Sequence, residues 1–208
     1  MQPFTSPVGR YAFGAITSLQ ENKQGKKEWL AALVIGVPES KVIFDAMDGE
    51  TKARQENKQW PMDPPKDALM PFKPSMKRLE DGSRVAEEGM LLWVFRRKEI
   101  ITVRGEQKLQ SAPQIWDGGG LNITKNCPEI GYGSELKAFF QPYAYSNMTT
   151  GVQLQLVGIQ IVTLKERVDN FAPDAIEGAY RAPEDQQPGK SLAEMFEGEA
   201  FESDPFPN

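Results

Sequence analysis

Between residues 134 and 146 the sequence reads SELKAFFQPYAYS, and its two alternating sets of positions differ in chemistry. The odd positions are Glu135, Lys137, Phe139, Gln141, Tyr143 and Tyr145; the even ones are Leu136, Ala138, Phe140, Pro142 and Ala144. Successive side chains of a strand point to opposite faces, so the odd set makes a ladder of aromatic rings with an ammonium beside it. Aromatic faces stack on the rings of unpaired bases, and a nearby cation attracts phosphate. The even set suits a core. The alternative is a strand covered on both faces, with Phe139 packed and the tyrosines at a rim.

Two further groups could extend such a surface. Trp93, Phe95 and Arg97 share one face of a strand predicted over 89–99, and Trp116 lies beside Gly118-Gly119-Gly120 and Lys125 on what reads as a mobile loop. For each tryptophan the competing assignment is the core. Of the run Arg96-Arg97-Lys98, at least two members should reach solvent.

Little else in the sequence points to chemistry. It has no histidine, so the commonest general acid–base group and a leading metal ligand are missing. One cysteine, Cys127, excludes an internal disulfide framework and a cysteine-based zinc site, and reads as a small, moderately buried side chain. No phosphate-cradling Gly-x-x-x-x-Gly-Lys loop or Gly-x-Gly-x-x-Gly turn is present, and no carboxylate pair stands out. No catalytic residue, metal or cofactor is therefore expected. No apolar run approaches the roughly 20 residues that span a bilayer, and the first residues lack the charged start and apolar centre of a signal peptide. A soluble, cytoplasmic protein without membrane association follows as the expectation.

The elements that must position the ladder are mostly strands. Residues 10–19 and 28–37 read as two strands joined by a polar turn at 21–27 containing Gly25. A helix is predicted over 41–57, with Ile43, Met47 and Ala53 on its inner side. Residues 59–84 carry five prolines and read as a long irregular insertion, with a turn at Glu80-Asp81-Gly82-Ser83. Strands resume at 89–99 and 99–104, taken as one bent ribbon, then at 113–117, 134–146 and 151–166. Asn147 to Thr150 serve as a hairpin loop. In the last strand Val152, Leu154 and Leu156 form one apolar set, and Val157, Ile159 and Ile161 a second, one step out of phase. A period-2 pattern changes phase within a strand when a residue is inserted, which predicts a β-bulge at Gly158. Five or more strands, a helix between early strands and a bulged corner fit a small, partly open barrel of OB type better than a sandwich.

Charge divides the chain. Residues 169–208 hold ten acids against two bases, Arg181 and Lys190, a net of −8, whereas residues 1–168 hold 22 bases and 19 acids, a net of +3. Mean hydropathy is low, at −0.49. The expected organisation is an OB-like domain over 1–168 followed by an acidic, disordered tail over 169–208.

The segments Ala112-Pro113-Gln114-Ile115-Trp116-Asp117, Gly131-Tyr132-Gly133-Ser134-Glu135-Leu136-Lys137-Ala138, Pro142-Tyr143-Ala144-Tyr145 and the run from Gly151 to Gln160 resemble a bacteriophage family of single-stranded DNA-binding proteins. The resemblance covers residues 10–166 and is most specific between 113 and 162. It implies an OB-fold, a role in phage DNA replication or recombination within the bacterial host, and sequence-nonspecific binding without catalysis. The candidate DNA-contacting residues are then Lys137, Phe139, Tyr143, Tyr145, Trp93, Phe95, Arg97, Trp116 and Lys125. The segment from Glu202 to Asn208 is similar to the acidic, Pro-Phe tips of bacterial single-stranded DNA-binding proteins, although Phe206 is followed by two residues. Ser191 and Glu194 have capping-box spacing ahead of an apolar face with Leu192 and Phe196. Leu192, Phe196, Asp204 and Phe206 are thus candidate contacts for replication or recombination proteins, or an inert solubilising tail. The rival reading of the whole chain is a phage structural or assembly protein with a β-barrel and an extended arm.

Overall fold

The computed structural model describes residues 2–165 apart from 23–24, 80, 104 and 147–148. The expectations for the tail, including its boundary at 169 and the contacts Leu192, Phe196, Asp204 and Phe206, lie outside the described residues.

Among the described residues ten strands and one α-helix follow in order: β1 (Phe4–Thr5), β2 (Gly9–Glu21), β3 (Lys27–Gly36), α1 (Lys41–Glu56), β4 (Phe72–Arg78), β5 (Arg84–Lys98), β6 (Ile100–Val103), β7 (Glu106–Leu109), β8 (Gln114–Trp116), β9 (Glu135–Ser146) and β10 (Thr150–Thr163). Five of them close on one another in the order β9-β2-β3-β5-β10, with β10 returning to β9. All neighbours are antiparallel except β5 and β10, which run parallel. This is the OB barrel expected from the sequence, and it is partly open for a visible reason. The β5–β10 seam consists of Leu154 opposite Phe95 and Gln155 opposite Arg96, and the β2–β9 seam is equally short.

Where β5 leaves β10, two devices occupy the exposed edge. The Arg97 guanidinium donates to the Leu156 carbonyl at 3.3 Å and to the Ser111 carbonyl at 2.7 Å. Beyond it β8 pairs in parallel with β10 from Gly158 to Gln160. A buried or half-buried carbonyl without a donor is costly, so this capping helps hold the seam.

The inward positions alternate as the sequence pattern requires. Leu136, Ala138, Phe140 and Ala144 of β9 meet Val152, Leu154, Leu156, Ile159 and Ile161 of β10 in one core. That core stays continuous across the expected bulge, where Leu156 opposes Phe140 and Gly158 opposes Phe139, leaving Val157 as the extra residue. β3 is buried on both faces: Trp29, Ala31, Leu33 and Ile35 enter the barrel core or its rim, while Leu30, Ala32 and Val34 join Leu92 in a second, outer cluster.

Helix α1 contributes Ile43, Ala46 and Met47 to the core, whereas Ala53, expected inward, is exposed. The weak apolar stripe ends after Met47 because the half-buried positions of the next turns are Glu50, Thr51, Arg54 and Gln55. Ser40 precedes the helix without capping it. Its hydroxyl donates to the Gly36 carbonyl at 2.8 Å and accepts the Trp93 indole N–H at 2.9 Å.

Two regions depart from expectation. The proline-rich stretch contains β4, which pairs with β5 through a register shift between Pro74 and Met76. Proline lacks a ladder donor, and an edge strand with an irregularity accommodates it. The supposed bent ribbon instead ends at Lys98 and is followed by a separate hairpin, β6–β7, turning at Gly105 with φ 86°.

Candidate nucleic-acid interface

On the outer wall of the barrel lies a groove of about 830 Å³. Its sides come from different parts of the chain. The loop between β2 and β3 supplies Gly25 and Lys26, with Lys27 starting β3; the end of β5 supplies Arg96, Arg97 and Lys98; the β6–β7 hairpin supplies Ile100, Ile101, Thr102 and Gln107. Tyr143 of β9 and Gln153 and Gln155 of β10 complete the lining. In OB barrels the face of the second and third strands and the loop between the first two are the usual oligonucleotide surface, and here those are β3, β5 and the β2–β3 loop.

The local sequence explains the charge. Phe95 points into the barrel, so alternation turns Arg96 and Lys98 outward, and both are exposed. Across from Arg96 is Leu30, and across from Lys98 is Glu28, a carboxylate buried to 3% exposure that lies 3.8 Å from the Arg96 guanidinium. Among the described lining residues five cations, Lys26, Lys27, Arg96, Arg97 and Lys98, face one carboxylate, Glu99. Burial pulls the Arg97 guanidinium below its ordinary pKa. The hairpin base is tied down by the Glu99 N–H to the Lys27 carbonyl at 3.0 Å and the Gln110 N–H to the Glu99 carbonyl at 2.7 Å. Walls from distant segments are therefore fixed to one another by backbone bonds.

The odd-position ladder of β9 is on the outer face, but the groove takes only one end of it. Tyr143 is 38% exposed, with Tyr145 stacked on it at 6.4 Å and 21°. At the other end Phe139 meets Trp116 edge-on, ring centres 5.1 Å apart, and both are half-buried. Trp116 is on strand β8 and not on a mobile loop, and its ring lies where a Cβ on Gly158 would be, which makes glycine necessary at the bulge. Lys137 is half-exposed opposite Gln160, and Lys125 is exposed on a short 3-10 turn, Thr124–Asn126; neither lines the groove.

Trp93 and Phe95 must be withdrawn from the candidate surface. Both are fully buried, Trp93 among Phe44 and Phe72 and Phe95 at 5.5 Å from Phe140. Arg97 shares their parity, yet it sits past the end of the barrel core and so reaches the groove. Four cations that line the groove, Arg96, Lys98, Lys26 and Lys27, are not among the candidates taken from the sequence. The alternation used for β9 finds the first two when applied to β5, because the face carrying Trp93 and Phe95 is the apolar one. Lys26 and Lys27 have no comparable signal; their place depends on a loop reaching across from β2. Among the described residues no group of three His, Cys, Asp or Glu could hold a metal ion, and no helix is long and apolar enough to cross a membrane.

No protein-family model and no curated protein matches the sequence. Solved structures do. The chain is similar to gp2.5, a single-stranded DNA-binding protein encoded by bacteriophage T7, with TM-score 0.54 and 20% identity over 85% of this chain and 98% of that one. It is also similar to the single-stranded DNA-binding protein from bacteriophage Enc34 in complex with ssDNA, with TM-score 0.57 and 11% identity over 79% and 88% of the two chains. The chain has the fold of the phage single-stranded DNA-binding proteins. The phage fold resemblance stated from the sequence thus agrees with the structure at the level of architecture, and at these identities the likeness concerns the fold alone.

Proposed function

We propose that this chain binds single-stranded DNA without sequence preference, holding the strand in the cationic groove with bases stacked toward Tyr143. The carrying observation is the groove itself: five cations and a solvent-facing tyrosine on the face that OB barrels use for oligonucleotides. The Enc34 protein of the same fold is held in a complex with ssDNA, which supports the reading. Backbone-directed cations beside an aromatic ring are the combination that holds single strands without sequence preference, because every base has a face to stack.

In this reading the protein acts as a non-catalytic binder that needs no cofactor. It protects exposed strands during phage DNA replication or recombination in the cytoplasm of a bacterial host. The acidic residues of 169–208 compete with DNA for the groove, and Leu192, Phe196, Asp204 and Phe206 recruit replication or recombination proteins.

The test is fluorescence anisotropy of a labelled oligo-dT and of a duplex of equal length over a salt series. Single-strand binding should be the tighter and should weaken with salt, with a log–log slope near −3.5 if all five cations meet phosphates, at about −0.7 per contact. Equal affinity for duplex, or no binding at about 50 mM salt, rejects the proposal.

A further inference from the structure

Arg54 lies in the last turn of α1, well outside the strands that build the groove. Its Nε donates to Glu50 Oε1 at 2.8 Å, and its second guanidinium nitrogen donates to Gln59 Oε1 at 2.9 Å. Both members of the Glu50–Arg54 pair are largely shielded, with side-chain exposures of 19% and 29%. The same Glu50 oxygen accepts the backbone N–H of Ala144 at 3.4 Å, a long bond that nonetheless ties the helix to the strand carrying Tyr143. The Arg54 guanidinium then lies 4.9 Å from the centre of the Tyr143 ring, within cation–π range. An ordinary ion pair one helical turn apart needs no partner on another element. This one is held from two sides and presents its planar group to the groove's aromatic side chain.

We infer that Arg54 is a positioning residue for strand binding: it fixes the Tyr143 ring as a stacking platform at the edge of the groove. Glu50 neutralises it, so Arg54 supplies orientation and not phosphate attraction. The inference rests on reading the groove as the single-strand site. It adds to that site a helix side chain which no pattern of alternation in the strands could reveal.

Salt dependence separates positioning from phosphate contact. A lost phosphate contact reduces the log–log slope by about 0.7, whereas a lost orienting group lowers affinity and leaves the slope in place. Removing Arg54 alone would bare the Glu50 carboxylate, so the decisive variant is E50Q/R54Q, which exchanges a neutral pair for a neutral pair. For the full chain with oligo-dT, affinity should fall about 5- to 10-fold, less than the whole contribution of a stacked base, with the slope unchanged. Photo-crosslinking of an iodouracil-containing oligonucleotide to Tyr143, mapped by mass spectrometry, should fall in parallel. E50Q alone keeps an amide oxygen that can accept from Arg54 Nε and the Ala144 N–H but removes the neutralising charge, so with the ring still held it should tighten binding and steepen the slope by about 0.7.

Should the double variant melt early, R54K, which keeps the ion pair but lacks the planar group, is read instead. It should weaken binding about threefold at unchanged slope, a smaller share of one stacking interaction. Wild-type affinity and crosslinking in the variant read, or a loss accompanied by a slope reduction of about 0.7, overturns the inference. Unchanged binding by E50Q overturns the neutralisation. Failure of the wild-type chain to bind oligo-dT defeats the functional proposal itself and is read before any variant.

Discussion

Of the outward aromatic side chains of β9, Phe139 toward the Glu135 end packs edge-on against the ring of another strand, whereas Tyr143 toward the Ser146 end is exposed and lines the groove. Both ends belong to one ladder with one alternation. Near the first end, β1 pairs at Phe139 and Phe140, β8 lies beyond β10, and the Trp116 ring crosses the gap at Gly158 to reach Phe139. Near the second end, Tyr143 opposes Gln153 and lines the groove. The chemistry of an aromatic position in a strand is thus set by the second neighbour across the sheet. Where that neighbour is a strand with a large ring, the position becomes packing; where it is a loop or a hairpin, the position can serve a ligand.

The most severe way to break this contrast is at the bulge. Gly158→Val puts a side chain where the Trp116 ring and the Gln114 carbonyl now lie. Overpacking of this kind should cost about 3 kcal/mol and displace β8, to be read as a lower urea midpoint with an unchanged slope. A midpoint equal to that of the wild type would mean that Trp116 is not fixed over the bulge.

A paired substitution sharpens the contrast further. Tyr143→Ala should weaken oligo-dT binding by roughly 1–3 kcal/mol, with little change in the thermal midpoint. Phe139→Ala should do the reverse, lowering stability by roughly 2 kcal/mol as a half-buried ring is lost and leaving affinity alone. Equal affinity losses in the two variants would restore the full-length ladder as the binding surface.

How much of this was legible before folding follows from range. The helix start, the inward set of β9 and the bulge near Gly158 each come from a pattern within one segment, and the barrel class from the order of such segments along the chain. Trp93 and Phe95 stand in the sequence as candidates for the surface with the core as the competing assignment, and alternation along β5 decides for the core while turning Arg96 and Lys98 outward. β4 escaped notice because Pro74 interrupts a strand that its register shift accommodates. The split of the β9 ladder could not be read locally, since the cover over Phe139 comes from a parallel pairing between β8 and β10. Arg54 reaches Tyr143 from a helix some 90 residues earlier in the chain, and nothing in its own segment marks it.

The cations offer a gentler comparison of the two ends. Lys98 lines the groove and Lys137 does not. Lys98→Ala should reduce the log–log salt slope by about 0.7, and Lys137→Ala should leave it unchanged. The reverse result would move the strand's path onto the β8 side of the barrel.

The smallest effect expected concerns the tail. With a net charge of −8 against +3 for residues 1–168, the segment 169–208 is a tethered polyanion, and tethering sets its effective concentration near a cationic surface in the millimolar range, on the order of that for short flexible linkers. Truncation after residue 168 should therefore raise oligo-dT affinity a few-fold at low salt. The gain should vanish toward about 1 M salt, where the screening length falls to about 3 Å. The contrast between the ends of β9 makes a further demand, because only the groove end is strongly basic. In an Arg96→Ala/Lys98→Ala background the gain from truncation should shrink, whereas in a Lys137→Ala background it should persist in full. A gain independent of both backgrounds would show that the tail acts elsewhere. Weaker binding after truncation, at an unchanged thermal midpoint, would make the tail part of the grip on DNA and end the competition model.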